Sequence, residues 1–171
     1  MLRINGRVAA VLPDNIDTDI IYPGRYLNIT DREKTPEHLF ELSYPEIRER
    51  LHAGDLIVGG RNFGCGSSRE QAAAAIKFAG AGAVIASSFA RIFYRNAINL
   101  GLPLIIAPAA SGKIQEGDHL EIDLAAGQIV NETRQETYPA ARLDPRAIEL
   151  LEAGGLIPYL KNQYAATEAV S

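Results

Sequence analysis

A glycine-rich loop between an apolar run and an alanine-rich run constrains the fold of this chain more than any other feature. The apolar run, residues 56–58, has the pattern of a buried strand, and the alanine-rich run, residues 67–79, predicts a helix. The loop between them, residues 59–66, holds several glycines. A strand that passes through such a loop directly into a helix is typical of α/β proteins. The central third of the sequence therefore predicts an α/β fold.

Short apolar runs alternate with helical runs along most of the chain, which predicts parallel strand–helix units. We expect strands at residues 3–12, 56–58, 83–86 and 102–107, and helices at residues 37–53, 67–79 and 90–99. Residues 20–36 combine prolines, a glycine and polar side chains, and they predict a long loop. Loops of this length in compact domains are uncommon and often functional.

The C-terminal third predicts different elements. Residues 119–124 and 128–133, joined by a small turn, predict a C-terminal β-hairpin. Asp144 followed by a proline is a typical helix start, and the helix should end at the glycine pair 154–155. The last residues, about ten, are small and polar, and we expect them to be frayed. No linker divides the sequence, so residues 1–171 are predicted to form a single domain.

Charge and hydropathy exclude several classes of partner. The formal net charge of -4 argues against nucleic acid, because a phosphate backbone attracts a clustered excess of lysine and arginine. No apolar stretch approaches the roughly 20 residues that span a bilayer, and the N-terminal residues lack the apolar core of a signal peptide. Hydrophobic residues make up 47% of the chain, enough for an ordinary globular core. We therefore expect a cytoplasmic protein that binds neither nucleic acid nor membrane.

Ser67 and Glu70 have the spacing of a capping box, so the helix is expected to begin at Ser67 or just after it. The first turn of a helix carries unpaired N–H groups and a partial positive charge. Such a helix start attracts anions. The sequence therefore indicates an anion-binding site immediately after the glycine-rich loop.

Several polar groups converge on this helix start. Gly64 and Gly66 permit a close approach of the backbone to a ligand, and Ser67 and Ser68 add hydroxyl groups. Arg69 offers a fork of donors that matches a carboxylate. The pattern fits neither a phosphate-binding P-loop nor a dinucleotide fingerprint, so a carboxylate is the favoured anion. A tight strand-to-helix turn with Arg69 as a solvated surface charge would also explain the glycines.

Cys65 lies in the same loop and is the one cysteine of the chain. A thiol near a helix start can act as a nucleophile when a base is positioned beside it. The histidines, His38, His52 and His119, stand at no spacing typical of a metal site or a catalytic triad. One cysteine cannot hold an iron–sulfur cluster, which needs several thiolates. We expect no metal site in this chain, and a self-sufficient cysteine enzyme stays open as an alternative.

Residues 60–70 closely resemble the Gly-x-x-Phe-Gly-x-Gly-Ser-Ser-Arg-Glu signature of the swivelling domain of the aconitase superfamily. Three further segments resemble the small subunits of isopropylmalate dehydratase and homoaconitase: residues 14–21 with Tyr26 and Leu27, residues 88–96, and residues 154–160. The resemblance covers nearly the whole chain. It implies an aconitase-type swivelling β/α domain and the small subunit of a heteromeric hydro-lyase.

The resemblance also implies roles for particular residues. Ser67 matches the serine that takes the substrate proton, and Ser68 and Arg69 match groups that hold the substrate carboxylates. The segment that sets substrate specificity in the family matches Tyr26, Leu27, Asn28, Ile29 and Thr30. A serine is a poor base at its free pKa, so nearby donors must stabilise its alkoxide. The resemblance further implies a large-subunit partner that bears a 4Fe-4S cluster, and a small dicarboxylate substrate.

Asn28 stands where members of the family that bind an extra carboxylate carry arginine and where isopropylmalate enzymes often carry an apolar residue. It is too short and neutral to pair a distant carboxylate, whereas Ile29 beside it can supply an apolar contact. The favoured substrate is therefore 3-isopropylmalate, an intermediate of leucine biosynthesis, with dimethylmalate, methylmalate and homoaconitate as alternatives. A noncatalytic carboxylate-binding module is the remaining alternative.

Overall fold

Seven strands form one mixed sheet in residues 2–170, the part of the chain that the computed structural model describes. The strands are β1 (Arg3–Val11), β2 (Leu56–Val58), β3 (Ala83–Ala86), β4 (Leu104–Ile106), β5 (His119–Asp123), β6 (Gln128–Asn131) and β7 (Glu136–Pro139). Their order across the sheet is β4-β3-β2-β1-β5-β6-β7. Strands β1 to β4 pair in parallel, and β1, β5, β6 and β7 pair antiparallel. The predicted α/β class, the parallel strand–helix units and the C-terminal hairpin are confirmed.

Two helices of the described chain each connect one parallel strand to its neighbour. The helices are α1 (Thr18–Ile21), α2 (Glu46–Arg50), α3 (Glu70–Phe78), α4 (Arg91–Leu100), α5 (Pro108–Ser111), α6 (Pro145–Ala153) and α7 (Leu156–Ala169), with 3-10 turns at Gly24–Tyr26 and Arg32–His38. Helix α3 connects β2 to β3, and α4 connects β3 to β4. Helix α6 begins and ends as predicted, because the Asp144 carboxylate accepts from the Arg146 N–H and Gly154 adopts a left-handed φ of 89°.

The structure differs from the prediction in residues 37–53 and near the C-terminus. The helix expected at residues 37–53 is wrong, since only Glu46–Arg50 is α-helical in that segment. Phe40 has a left-handed φ of 52° and donates its N–H to the Ile21 carbonyl, so its backbone pairs with a distant segment rather than within a helix. At the C-terminus, Leu156–Ala169 is helical where the sequence predicted no element. The expected fraying of the last residues stays a prediction.

Helix α3 is buried on most of its circumference, which explains its run of alanines. The side chains from Ala72 to Ile76 are all buried. The helix lies between the sheet and the segment that contains the 3-10 turn Arg32–His38. A helix that is apolar all round is buried, and small alanine side chains let its neighbours approach closely. The long segment before β2, which contains residues 26–30, therefore lies on this face of the sheet.

Three loops meet at the carboxyl ends of the parallel strands. The loop after β1 pairs with the loop after β2 through a bridge between Asp17 and Cys65. The loop after β2 pairs in turn with the loop after β3 through a bridge between Phe63 and Phe89. Ligands of open α/β sheets bind outside the carboxyl ends of the strands. A functional site is therefore expected at these three loops, which we call the carboxyl-end loops.

Candidate functional site

Gly64 holds the glycine-rich loop against the start of helix α4. It adopts a left-handed φ of 81°, and a Cβ atom added there would lie 2.2 Å from Cγ of Phe93. The Phe93 ring packs against Phe63 with ring centroids 5.6 Å apart, and Phe89 joins the same cluster. Only glycine permits both this backbone conformation and this approach. The loop and the first turn of α4 therefore form one packed unit.

The predicted helix start at Ser67 is wrong, because α3 begins at Glu70 with Arg69 at the N-cap position and no side-chain cap. The reason lies in the loop after β1. Thr18 donates its N–H to the Cys65 carbonyl at 2.8 Å and its hydroxyl to the Ser67 carbonyl at 2.9 Å. These bonds hold residues 65–67 alongside residues 17–18. The two serines at 67 and 68 thus lie ahead of the helix and are exposed.

Arg69 is held by the segment that follows β1. Its Nη1 atom lies 2.6 Å from Oδ1 of Asp19, and its side chain is only 18% exposed. The same oxygen accepts the backbone N–H of Gly24 at 2.9 Å. A Cβ atom on Gly24 would lie 3.2 Å from the guanidinium, so the backbone packs closely against the arginine. The Arg69 hydrogen bond, followed by that of Gly24, lowers the pKa of the Asp19 carboxyl.

Asp19 was not predicted as a site residue. It lies within residues 14–21, one of the segments that carry the resemblance, but the motif assigned it no role. The available signal was its spacing after β1, since the carboxyl ends of parallel strands share one edge of a sheet. Thr18 was missed for the same reason.

The three residues predicted at the core of the site line one cavity. Ser67, Ser68 and Arg69 are brought together around a space of about 210 Å³. The remaining lining residues are Thr18, Gly64, Gly66, Ala90, Arg91, Ile92 and Phe93. Neither serine hydroxyl makes a hydrogen bond within residues 2–170, so both are available to a ligand. Two hydroxyls and a guanidinium in one cavity at a helix start form a site suited to a carboxylate.

Comparison with protein-family models places the chain in a known family. The model of the aconitase C-terminal domain matches residues 10–109, which include all of the carboxyl-end loops described above. The chain belongs to the aconitase C-terminal domain family.

Several relatives of this aconitase-family chain have similar identity but different names. The 3-isopropylmalate dehydratase small subunit of Moorella thermoacetica is 54% identical over 86% of this chain and 89% of its own length. The isopropylmalate/citramalate isomerase small subunit of Methanocaldococcus jannaschii is 49% identical over 96% of this chain and 98% of its own length. The methanogen homoaconitase small subunit of Methanothermobacter thermautotrophicus is 50% identical over 92% of this chain and 91% of its own length. Overall identity therefore does not separate these substrates.

A solved structure shows the same fold. The crystal structure of a 3-isopropylmalate dehydratase (leuD) from Methanocaldococcus jannaschii superposes with a TM-score of 0.90 and 44% sequence identity. It covers 99% of this chain and 100% of its own. The aconitase-type fold predicted from the sequence motifs is thus confirmed over 99% of the chain.

The predicted specificity segment of this aconitase-family chain lies beside the Ser67 cavity rather than in its wall. Ile29 and Thr30 line a neighbouring cavity of about 230 Å³. Its other lining residues are Arg32, Thr35, Glu70, Gln71 and Ala74. Both cavities adjoin the first turn of α3, on which Arg69, Glu70 and Gln71 follow one another. The substrate roles of the specificity segment remain predictions.

The first three residues of the specificity segment have different environments. The Tyr26 ring stacks on His38 with centroids 3.5 Å apart, and its hydroxyl donates to Glu41 at 3.1 Å. Leu27 and Asn28 are exposed. Tyr26 thus anchors the segment to the body of the domain, while Leu27 and Asn28 are free to meet a ligand or a partner.

Cys65 is poorly suited to act as a nucleophile. Its burial, followed by the Asp17 carboxylate, raises the pKa of the thiol. A raised pKa lowers the thiolate fraction at neutral pH, and the thiolate is the reactive form. No histidine within residues 2–170 makes a hydrogen bond with it. These observations count against a self-sufficient cysteine enzyme.

The described chain offers neither a metal site nor a membrane span. No group of three or more His, Cys, Asp or Glu side chains between residues 2 and 170 could hold a metal ion. In the same part of the chain, no helix is long and apolar enough to cross a membrane.

Proposed function

We propose that this chain is the small subunit of a two-subunit hydro-lyase that acts on a 2-hydroxy dicarboxylic acid, with 3-isopropylmalate as its substrate. The cavity that combines the Ser67 and Ser68 hydroxyls with the Arg69 guanidinium carries the proposal. Small subunits of such enzymes, including the one from Moorella thermoacetica, support it by their similarity over most of the chain. The pathway is then leucine biosynthesis, and the expected compartment is the cytoplasm.

Ser67 is the proposed base. Dehydration removes a proton from the carbon next to a carboxylate and hydroxide from the neighbouring carbon, and a double bond forms between the two carbons. The proton passes to Oγ of Ser67, and a cluster on the partner would supply the Lewis acid for the departing hydroxide. Serine is a weak base at its ordinary pKa, so its alkoxide needs strong stabilisation. The Arg69 guanidinium, the Ser68 hydroxyl and the uncapped N–H groups at the start of α3 supply it. The same donors stabilise the charge that develops on the substrate carboxylate.

The residues of this chain do not fit a 4Fe-4S cluster, because Cys65 is its one cysteine and such a cluster needs several thiolates. We assign the cluster to a large-subunit partner. The small subunit contributes the base and the carboxylate-binding groups, and the complete site forms only when the two subunits meet.

The charges near the specificity segment favour an alkyl-substituted substrate. Arg25 pairs with Glu41 at 3.3 Å, and Arg32 pairs with Glu70. Each of these arginines already faces a carboxylate of this chain, which reduces the positive charge available for the extra carboxylate of homoaconitate. Asn28 is neutral, and Ile29 adds apolar surface to the adjoining cavity. A small branched alkyl group matches this surface better than a charged arm does.

The test is to mix the chain anaerobically with the cluster-bearing large subunit of its host and to measure hydration of five unsaturated acids. These are isopropylmaleate, citraconate, dimethylmaleate, cis-aconitate and homoaconitate. We expect hydration of isopropylmaleate with the highest kcat/KM. Fastest turnover of citraconate, dimethylmaleate or homoaconitate would reassign the substrate within the family. A stable complex with an intact cluster and no activity on any acid would contradict the proposed function.

A further inference from the structure

Arg91 is a second arginine on the wall of the Ser67 cavity. It is the first residue of α4, and it shares the cavity with Ser67, Ser68 and Arg69. Its side chain is exposed, and it makes no hydrogen bond or ion pair within residues 2–170. The two arginines therefore differ, because Arg69 already pairs with Asp19.

The backbone around Arg91 is fixed relative to the proposed base. Phe63 donates its N–H to the Ser88 carbonyl at 3.0 Å, and Ala90 donates its N–H to the Phe63 carbonyl at 2.9 Å. These bonds tie the residue before Arg91 to the loop that leads into Ser67. The close packing of Gly64 on Phe93 fixes the other side. Arg91 thus projects from a rigid platform, which is the arrangement that precise ligand positioning requires.

Two helix starts contribute positive potential to the cavity. Helix α3 has Arg69 at its N-cap and α4 has Ala90, and neither N-cap side chain bonds to the first turn. Helix α4 has no acidic residue in its first turn, so its partial positive charge is uncompensated, whereas Glu70 lies in the first turn of α3. The pairing with Asp19 neutralises much of the Arg69 charge, so Arg91 is the unpaired full charge on the cavity wall.

We propose that Arg91 binds one carboxylate of the substrate and Arg69 binds the other, in the cavity that both arginines share with Ser67. The inference rests on the proposed function, since it concerns the same site. Two arginines match the two charges of a dicarboxylate, and each fork binds a carboxylate through paired hydrogen bonds. The site then selects dicarboxylates over monocarboxylates through Arg91.

The test compares succinate with butyrate as ligands of the assembled two-subunit complex, measured by calorimetry. The variants are Arg91→Gln and Arg91→Lys, with Arg95→Gln as the control. Arg95 is exposed on the same helix about one turn later, and it does not line the cavity. Competitive inhibition of isopropylmaleate hydration by the two acids provides a second readout.

We expect Arg91→Gln to weaken succinate binding about 10- to 100-fold, as for the loss of a charge-assisted pair. Butyrate binding should stay within about twofold, because a single carboxylate can still bind Arg69, which Asp19 orients. Arg91→Lys should recover part of the affinity, and Arg95→Gln should bind both acids normally. Unchanged succinate binding in Arg91→Gln would overturn the inference. Equal weakening of both acids would also overturn it, as would reduced large-subunit affinity with normal succinate binding.

The calorimetry separates this inference from the proposed function. A wild-type complex that binds succinate but hydrates no acid would contradict the hydro-lyase, and the comparison of Arg91→Gln with wild type would still decide the role of Arg91. A wild-type complex that binds neither succinate nor butyrate would contradict the inference as well.

Discussion

Asp19 connects two parts of the candidate site through one carboxylate oxygen. Its Oδ1 atom accepts the Gly24 N–H and the Arg69 guanidinium, so it fixes the arginine against the segment that leads to residues 26–30. The side chain itself is 61% exposed, which limits what the ion pair contributes to the stability of the fold. Its main effect is therefore on the orientation of Arg69.

Asp19→Asn should weaken substrate binding while leaving the fold almost unchanged. The amide still accepts a hydrogen bond but loses the charge that orients Arg69, so we expect KM to rise about tenfold with a smaller change in kcat. Steady-state kinetics of the assembled complex measures both constants. An unchanged KM would show that Arg69 is oriented without its partner.

The ion pair between Arg69 and Asp19 predicts how the orientation of Arg69 depends on pH. Hydrogen bonding lowers the pKa of Asp19 below 3.8, so the pair is fully formed above that value and is lost as pH falls through the lowered pKa. Neutral and mildly acidic solutions should therefore leave Arg69 in place.

Ser67→Ala should reduce kcat more than any other substitution of a single cavity hydroxyl. Loss of a general base typically costs about 10²- to 10⁴-fold, and we expect that loss with large-subunit affinity unchanged. Ser68→Ala is the matched control, because it removes a neighbouring hydroxyl of the same cavity and should act mainly on KM. Full activity of Ser67→Ala would favour a noncatalytic carboxylate-binding role.

At the scale of elements, the glycine-rich loop and α4 depend on each other. Alanine at position 64 would need a left-handed φ of 81° and would place its Cβ 2.2 Å from Phe93. We expect Gly64→Ala to lower the free energy of unfolding by about 2–4 kcal/mol, from backbone strain and overpacking together. Urea denaturation measures this change.

Gly112→Ala is the control for that experiment. Gly112 has a right-handed backbone with a φ of -84°, and a Cβ there meets nothing within 4 Å. Its substitution should change the free energy of unfolding by less than about 1 kcal/mol. Equal effects of the two substitutions would mean that the Phe93 contact does not constrain the loop.

The sequence predicted correctly those elements that depend on local residue patterns. The predictions failed where contacts with distant segments determine the backbone conformation. Strands β2 and β3 are short apolar runs, and α6 has its cap and stop residues beside it, so each could be recognised. The capping box at Ser67 was misleading, because Thr18, which precedes it by 49 residues, takes the Ser67 carbonyl. Strand β7 was missed because a short edge strand ending in proline buries only Tyr138.

The candidate site shows the same division. Ser67, Ser68 and Arg69 were found because they are adjacent in one motif and follow a predicted strand. Arg91 lines the same cavity from the start of α4, and Asp19 holds Arg69 from the segment after β1. Their contribution depends on which strands are neighbours in the sheet, and a single sequence does not reveal that order.

At the scale of the whole molecule, β1 divides the sheet into two halves. Its first part, residues 3–7, pairs antiparallel with β5, and its last part, residues 8–11, pairs parallel with β2. The parallel half ends in the carboxyl-end loops, where Leu27 and Ile92 are 39% and 44% exposed beside the candidate site. The antiparallel half, β5 to β7, contributes no residue to the Ser67 cavity.

This division predicts where the large subunit binds. A site that needs groups from both subunits must be covered by the partner. The backbone amides of residues 64–69 and 88–93 should therefore exchange more slowly when the complex forms. Residues 119–139, in the antiparallel half, should exchange at the same rate in the free chain and in the complex. Hydrogen–deuterium exchange with mass spectrometry on both samples measures the difference.

The isolated chain should fold and show no hydration of isopropylmaleate. Protection confined to residues 119–139, or turnover by the isolated chain, would contradict a shared site, because either result would leave the Ser67 cavity open to solvent in the active enzyme.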